Sequence, residues 1–112
     1  MERPLTVNFF RLKSGREPVR EWLKSLDYAH RKVIGEDIKT LQFGWPVGMP
    51  ITRKLAPNLW ELRSNLNIGI ARIFITIYDK RIILLHGFVK KSQKIPKHEL
   101  SLAKERLSEL RY

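Results

Sequence analysis

Residues 59–96 read LWELRSNLNIGIARIFITIYDKRIILLHGFVKKSQKIP, and they decide the fold because they contain three successive strand patterns and a basic loop. In the first pattern, Leu59–Arg63, side chains alternate between the two faces of a strand. Glu61 and Arg63 therefore fall together on one face, and the apolar side chains beside them face the predicted core.

The second pattern, Ile70–Tyr78, alternates more strictly, with isoleucines on the core face and Arg72 on the other. Asp79-Lys80 then fits a two-residue hairpin turn. The third pattern, Arg81–Val89, is apolar on both faces, which predicts a central strand covered on both sides. If the polar faces align, Arg72 joins the charged pair of the first strand on one surface.

The rest of the chain supplies one further strand pattern, a short candidate strand and three helices. In order they are a strand at Leu5–Phe10, a helix from Pro18, a helix at Tyr28–Phe43, a short strand at Ile51–Leu55 and a helix from Pro96 to about Leu110. Apolar residues recur at helical spacing in all three helices, and Gly44 is predicted to cap the second. The order βααβββα predicts a single α+β domain over residues 1–112, with a small antiparallel sheet, an N-terminal helical hairpin and a C-terminal helix.

The charge of the chain favours an anionic partner. Its 112 residues carry 22 Lys and Arg against 11 Asp and Glu, a net charge of +11 with a pI near 10.4. Residues 80–97 contain six basic residues and no acidic one. Nucleic acid is the first candidate partner and an acidic protein the second. A membrane surface is third, because no predicted helix has a basic face opposite a strongly apolar one.

The composition also excludes several kinds of site. The chain has no cysteine, which excludes disulfides and thiolate metal ligands. Its three histidines lack metal-ligand spacing, so we expect neither a metal nor a cofactor. No apolar run is long enough to span a bilayer, and MERPLTVNFF lacks a signal-peptide pattern. These features predict a cytoplasmic protein without membrane contact.

The string HGFVKKSQKIPKHEL at residues 86–100, together with WELR at residues 60–63 and the arginine-bearing strand between them, resembles the phage Gp49-like branch of the HigB toxins within the RelE superfamily. Members of that superfamily are typically toxins of type II toxin–antitoxin pairs that cleave mRNA in the ribosomal A site. The resemblance implies a RelE-like βααβββα order and a ribosome-dependent endoribonuclease, or mRNA interferase. It also implies two partners, mRNA on the ribosome and a cognate helix-turn-helix antitoxin.

The same resemblance implies which residues act. Arg63 corresponds to a basic residue that faces the RNA, and Arg72 to the arginine that contacts the scissile phosphate. The predicted catalytic residues are Arg63, Arg72, Lys91, Lys90 and Glu61. The predicted RNA-binding residues, from the resemblance or from their place beside the patch, are Arg53, Lys54, Gln93, Lys94 and Lys97. The chain departs from the family pattern at Glu61, where some relatives are basic, and at Ile95, where a threonine often precedes the proline.

RNA cleavage by internal attack needs a proton acceptor for the 2′-hydroxyl, a stabilised phosphorane and a proton donor for the 5′-oxygen. Arginine forks match phosphate oxygens and stay charged, so Arg63 and Arg72 suit the second task. For proton transfer the chain offers Glu61, His86 or a lysine with a lowered pKa. His86 lies in an apolar strand, where the usual role is a packed, hydrogen-bonded core residue, and the three tryptophans are likewise predicted to serve packing.

Two other functions fit the same residues. One is a non-catalytic nucleic-acid-binding module, because neither paired carboxylates nor paired histidines stand out. The other is a ParE-like inhibitor of DNA gyrase, because that family shares the architecture and fold alone does not separate the two activities.

Overall fold

The computed structural model describes residues 4–46, 48, 51–90 and 94–110. Their elements are β1 (Thr6–Phe9), α1 (Pro18–Ser25), α2 (Tyr28–Gly44), β2 (Thr52–Ala56), β3 (Leu59–Leu66), β4 (Gly69–Tyr78), β5 (Arg81–Lys90) and α3 (Lys97–Glu109). The three predicted helices are present and the α+β class is confirmed. The order βααββββα contains one strand more than the predicted βααβββα, because the short strand before β3 is a full member of the sheet.

The sheet has five strands in the order β1-β5-β4-β3-β2. β2 to β5 pair as successive antiparallel neighbours, whereas β1 pairs parallel to β5. The prediction of a purely antiparallel sheet was therefore wrong. Side-chain alternation identifies a strand but not its partner, and the connection through α1 and α2 brings β1 back beside the last strand in the parallel sense.

Short turns fix the antiparallel part of the sheet. Asp79 and Lys80 have φ angles of 49° and 60°, the pair of positive values that a type I′ hairpin turn requires. The predicted two-residue turn between β4 and β5 is thereby confirmed. Asn58 also has a positive φ of 60° and follows Pro57, a sequence that suits a tight turn between β2 and β3.

A β-bulge interrupts the pairing of β4 with β5. Phe74 pairs with His86 while Ile75 pairs with Leu84, so Leu85 is the extra residue of β5. Strict alternation would turn His86 to the same side as Leu84. The bulge instead turns Leu85 and His86 to the same side, which is one of the known effects of such insertions.

Helices cover both faces of the sheet. α1 and α2 pack on one face, which we call the α1/α2 face, and α3 packs on the other, which we call the α3 face. The buried residues of the α1/α2 face are Val19, Ile34, Ile38, Leu41, Leu62, Ala71, Ile73, Ile75, Ile82 and Leu84. Those of the α3 face are Phe10, Leu59, Phe74, Leu85 and Ala103. The predicted apolar stripe of α2 is buried, and β5 is covered on both sides as predicted.

The helix ends follow local chemistry, with one correction. Pro18 is the first residue of α1, where its missing N–H costs no helical hydrogen bond. Gly44 is the last residue of α2 and not its cap, because Trp45 takes the C-cap position in an extended conformation. Trp45 packs edge-to-face on Trp60, with ring centroids 5.1 Å apart, which supports the predicted packing role of these rings.

Among the described residues, none of the helices combines the length and apolar character needed to cross a membrane.

Candidate nucleic-acid interface

Four charged side chains from three neighbouring strands meet on the α3 face. Arg53 of β2 pairs with Glu61 of β3, and Arg63 of β3 pairs with Arg72 of β4. Paired residues of antiparallel strands project to the same side of the sheet. The predicted alignment of Arg63, Glu61 and Arg72 is therefore confirmed, and Arg53 joins them. We refer to these four residues as the arginine cluster.

Glu61 bridges the two central arginines. Its Oε1 lies 3.7 Å from Nε of Arg63, and its Oε2 lies 3.5 Å from Nε of Arg72. Both separations exceed a normal N–H···O hydrogen bond of about 2.7–3.2 Å, so the contacts are ion pairs. Each carboxylate oxygen serves one guanidinium, and this shared anion offsets the repulsion between two neighbouring cations.

Arg53 is exposed, but the other three residues of the arginine cluster are more deeply buried than an exposed polar face would be. The Glu61 and Arg72 side chains are only 2% and 1% exposed, and that of Arg63 is 19% exposed. Burial lowers the pKa of Arg72, the nearby Glu61 carboxylate opposes this, and the charges of Arg63 and Arg53 add to the lowering. A guanidinium in a protein nevertheless stays protonated, so Arg72 remains a buried cation.

The other predicted basic residues do not all lie together. Lys90 lies on the α3 face at the exposed end of β5, opposite Ile70. Lys94 and Lys97 are exposed, and Lys97 is the first residue of α3. Lys91 and Gln93 lie outside the described residues.

Lys54 is a correction. It pairs with Trp60, and its Nζ lies 5.6 Å from that ring on the α1/α2 face. Adjacent residues of one strand point to opposite sides, so β2 cannot place both Arg53 and Lys54 beside the arginine cluster.

His86, one of the proton-transfer candidates, belongs to a second polar group on the α3 face, and its contact with Glu99 was not predicted. Nε2 of His86 lies 3.0 Å from Oε2 of Glu99 in the first turn of α3, and Nε2 of His98 lies 3.1 Å from Oε1 of the same carboxylate. We refer to these three residues as the histidine–glutamate cluster. The rings of Phe74 and Phe88 flank His86, with centroids 6.2 and 5.9 Å away. The run Leu84-Leu85-His86 carries no signal of the bulge that turns the imidazole toward α3.

The environment of His86 keeps its ring neutral near pH 7. Burial lowers the pKa of His86, and the hydrogen bond and charge of Glu99 oppose that effect, while Arg106 and His98 add to the lowering. A neutral imidazole can accept a proton, and a carboxylate partner fixes its tautomer. In the described part of the chain, no group of three or more His, Cys, Asp or Glu side chains is arranged so that it could hold a metal ion.

Comparison with known proteins identifies the family of this chain. No curated protein matches the chain. The model of the phage-derived protein Gp49-like family (DUF891) matches residues 21–108, which include α2, every strand of the arginine cluster and nearly all of α3. That family is related to toxin–antitoxin systems. Because the match covers well over half of the chain and both charged clusters, this protein belongs to the phage-derived Gp49-like family.

Proposed function

We propose that this chain is the toxin of a type II toxin–antitoxin pair and that it cuts mRNA on the ribosome by attack of a 2′-hydroxyl on the adjacent phosphate. The observation that carries the proposal is the arginine cluster, in which Glu61 holds Arg63 and Arg72 side by side on one face of the sheet. An anionic substrate is the natural ligand for such a group, and the net charge of +11 would speed its encounter.

The arginine cluster suits a phosphorane. Charge develops on the phosphate oxygens as the 2′-oxygen attacks, and donors that are already oriented stabilise that charge most effectively. Arg63 and Arg72 face Glu61 through Nε, so the carboxylate keeps the two positive charges side by side before substrate binds. Arg53 and Lys90 lie on the same face and would hold flanking phosphates.

The proposed dependence on the ribosome reflects the lack of a free acid or base in the arginine cluster. Its only carboxylate is engaged by two arginines, so the cluster orients and stabilises charge but has little acid–base power of its own. Holding the mRNA in a reactive geometry accounts for a large part of the rate in reactions of this kind. In this proposal the ribosomal A site supplies that geometry, and the protein works in the cytoplasm.

The test is cleavage of a defined mRNA, mapped by primer extension, with and without programmed ribosomes. Arg63→Ala is expected to lower cleavage about 10²–10³-fold, as the loss of one transition-state donor does elsewhere. Arg72→Lys keeps the buried charge but loses the planar guanidinium that can bind two phosphate oxygens at once, and it is expected to lower cleavage as well. Lys39→Ala removes a positive charge from the exposed surface of α2 and serves as the matched control. Full cleavage by folded Arg63→Ala and Arg72→Lys proteins would overturn the proposal.

A non-catalytic nucleic-acid-binding module is the second candidate. The burial of Glu61 between two arginines favours it, because such a carboxylate is poorly placed to accept a proton from substrate. This alternative predicts RNA affinity that falls steeply with salt, by about 0.7 in slope for each neutralised phosphate of a single strand, without strand cleavage. Defined cut sites in cellular mRNA would exclude it. Toxicity with damaged DNA and intact mRNA would instead point to a ParE-like action on gyrase.

The proposed protein partner is a helix-turn-helix antitoxin that brings acidic or apolar residues to the basic surface. Co-elution of the purified chain with the product of the neighbouring gene at low salt is the expected result. Separate elution at low salt would count against this partner.

A further inference from the structure

We propose that His86, oriented by Glu99, is the proton acceptor for the attacking ribose 2′-hydroxyl, and that Glu61 is a positioning residue for the arginines. The inference rests on the proposed endonuclease function and adds to it the group that moves the proton. It assigns separate tasks to the two carboxylates of the α3 face.

Glu61 is poorly placed to accept a proton from substrate. Its two oxygens face Nε of Arg63 and Nε of Arg72. A hydroxyl that reached this carboxylate would have to displace one of the guanidinium groups that the phosphorane needs. Glu61 therefore acts on the reaction through the arginines and not by contact with the ribose.

His86 lies beside the arginine cluster, on the neighbouring strand of the α3 face. Arg72 pairs with Phe88, and Phe74 pairs with His86, so Arg72 and His86 are diagonal neighbours on adjacent strands. Such neighbours are about 7–8 Å apart in the backbone, a span that long side chains bridge. The bulge at Leu85 creates this arrangement, since regular pairing would send the imidazole to the α1/α2 face. The His86 side chain is 15% exposed, more accessible than Glu61.

Glu99 fixes the tautomer of His86. A carboxylate accepts hydrogen bonds, so the 3.0 Å contact places the proton of the neutral ring on Nε2 and the lone pair on Nδ1. The first turn of α3 stabilises the negative charge of Glu99. This is the arrangement of a base and its orienting acid that accompanies nucleophile activation in other enzymes.

Charged groups from α3 and β4 surround His86. α3 contributes Glu99, His98 and Arg106, whose charges act on the imidazole in opposite senses, and β4 contributes Arg72 on the diagonal. Glu99 favours the protonated ring, whereas His98 and Arg106 disfavour it. The ring is neutral before reaction and gains a carboxylate-stabilised charge when it accepts a proton.

The proposed step conserves atoms and charge. Nδ1 of His86 takes the proton of the 2′-hydroxyl as the 2′-oxygen bonds to phosphorus. The bond from phosphorus to the 5′-oxygen breaks, which leaves a 2′,3′-cyclic phosphate on one fragment. The departing 5′-oxygen takes a proton from water, and the imidazolium later returns its proton to solvent. No redox partner or metal takes part in this step.

The experiment is single-turnover cleavage of mRNA on programmed ribosomes across pH 5.5–8.5, with toxin in excess. The wild-type rate is expected to rise with pH and to level off above the pKa of His86. His86→Gln is expected to lower the plateau about 10²-fold, within the usual range for a general base, and to remove the rise. His30→Gln is the matched histidine control, because His30 lies on α2 and contacts Asn67.

Glu99→Gln distinguishes a catalytic role of His86 from a purely structural one. It also tests that role if the His86→Gln protein does not fold. Because Glu99 raises the pKa of His86, its loss is expected to move the midpoint of the rate profile to lower pH. Glu105→Gln, an exposed carboxylate on the same helix, is expected to leave the midpoint in place. Glu61→Gln is expected to lower the rate without moving the midpoint.

Two failures are distinguishable. Absence of cleavage by the wild-type protein at every pH would sink the endonuclease function itself. Normal wild-type cleavage with an unchanged profile in folded His86→Gln, or an unmoved midpoint in Glu99→Gln, would overturn only the role of His86.

Discussion

Glu61 and Glu99 are two carboxylates on the same side of one sheet, and their neighbours give them different chemistry. Glu61 lies between two arginines and is 2% exposed, whereas Glu99 lies between two histidines and is 16% exposed. An arginine keeps its charge at all physiological pH values, while a histidine does not. A carboxylate between arginines therefore fixes geometry, and a carboxylate between histidines is coupled to proton transfer.

The largest expected effect tests whether Glu61 stabilises the arginine cluster. Glu61→Ala leaves Arg63 and Arg72 facing each other without the anion between them. Removing one partner of a buried ion pair costs about 3–5 kcal/mol, and we expect a loss of that order in the free energy of unfolding, measured with urea. Glu105→Ala, at an exposed position, should change it by less than about 0.5 kcal/mol. Equal stabilities of the two variants would mean that Glu61 does not hold the arginine cluster together.

A change on the opposite face provides the next test. A methyl group at Gly87 would lie 2.5 Å from Cζ3 of Trp22, which packs α1 against β5. Gly87→Ala is expected to destabilise the fold by about 1–3 kcal/mol through overpacking, measured by thermal or urea unfolding. Because Gly87 faces away from both carboxylates, the midpoint of the pH–rate profile should not move. A shifted midpoint would show that the two faces are not independent.

The pH dependence of stability tests the environment of His86, the partner of Glu99. Burial lowers the pKa of His86 in the folded chain, so between this value and about 6.5 the unfolded chain binds more protons. Stability therefore rises with pH across that window and is lost on acidification. The stability of wild type relative to His86→Gln should fall from pH 7 to pH 5, by about 1.4 kcal/mol for each pKa unit that separates the two states. Parallel urea-unfolding curves at both pH values would contradict the lowered pKa.

The smallest effect lies in the hairpin that joins β4 to β5, away from both carboxylates. Lys80 has a φ of 60° in the turn, a conformation that glycine adopts without steric cost. Lys80→Gly gives the Asp-Gly pair favoured in type I′ turns and is expected to stabilise the fold by about 0.5–1 kcal/mol. Asp79 and Lys80 are exposed, so cleavage should stay unchanged. A loss of stability in urea would argue against the type I′ geometry.

Much of the fold was predictable because its signals are local. The helix at Tyr28 and the strand at Arg81 begin where periodicity and turn residues place them. The grouping of Glu61, Arg63 and Arg72 followed from alternation within two hairpin strands. Alternation also shows that Arg53 and Lys54 face opposite sides, so the placement of Lys54 beside the patch was an avoidable error.

The sequence by itself determined the strands, the helices, the basic charge and the residues of the arginine cluster, because each of these depends on composition or on neighbours within a few positions. The tertiary structure alone decided the parallel pairing of β1, the bulge at Leu85 and the depth at which Glu61 and Arg72 are buried. It also brought His86 to Glu99, residues 13 positions apart and on different elements. Packing of α3 on the sheet and one extra residue in a strand are long-range constraints, and no local period encodes them.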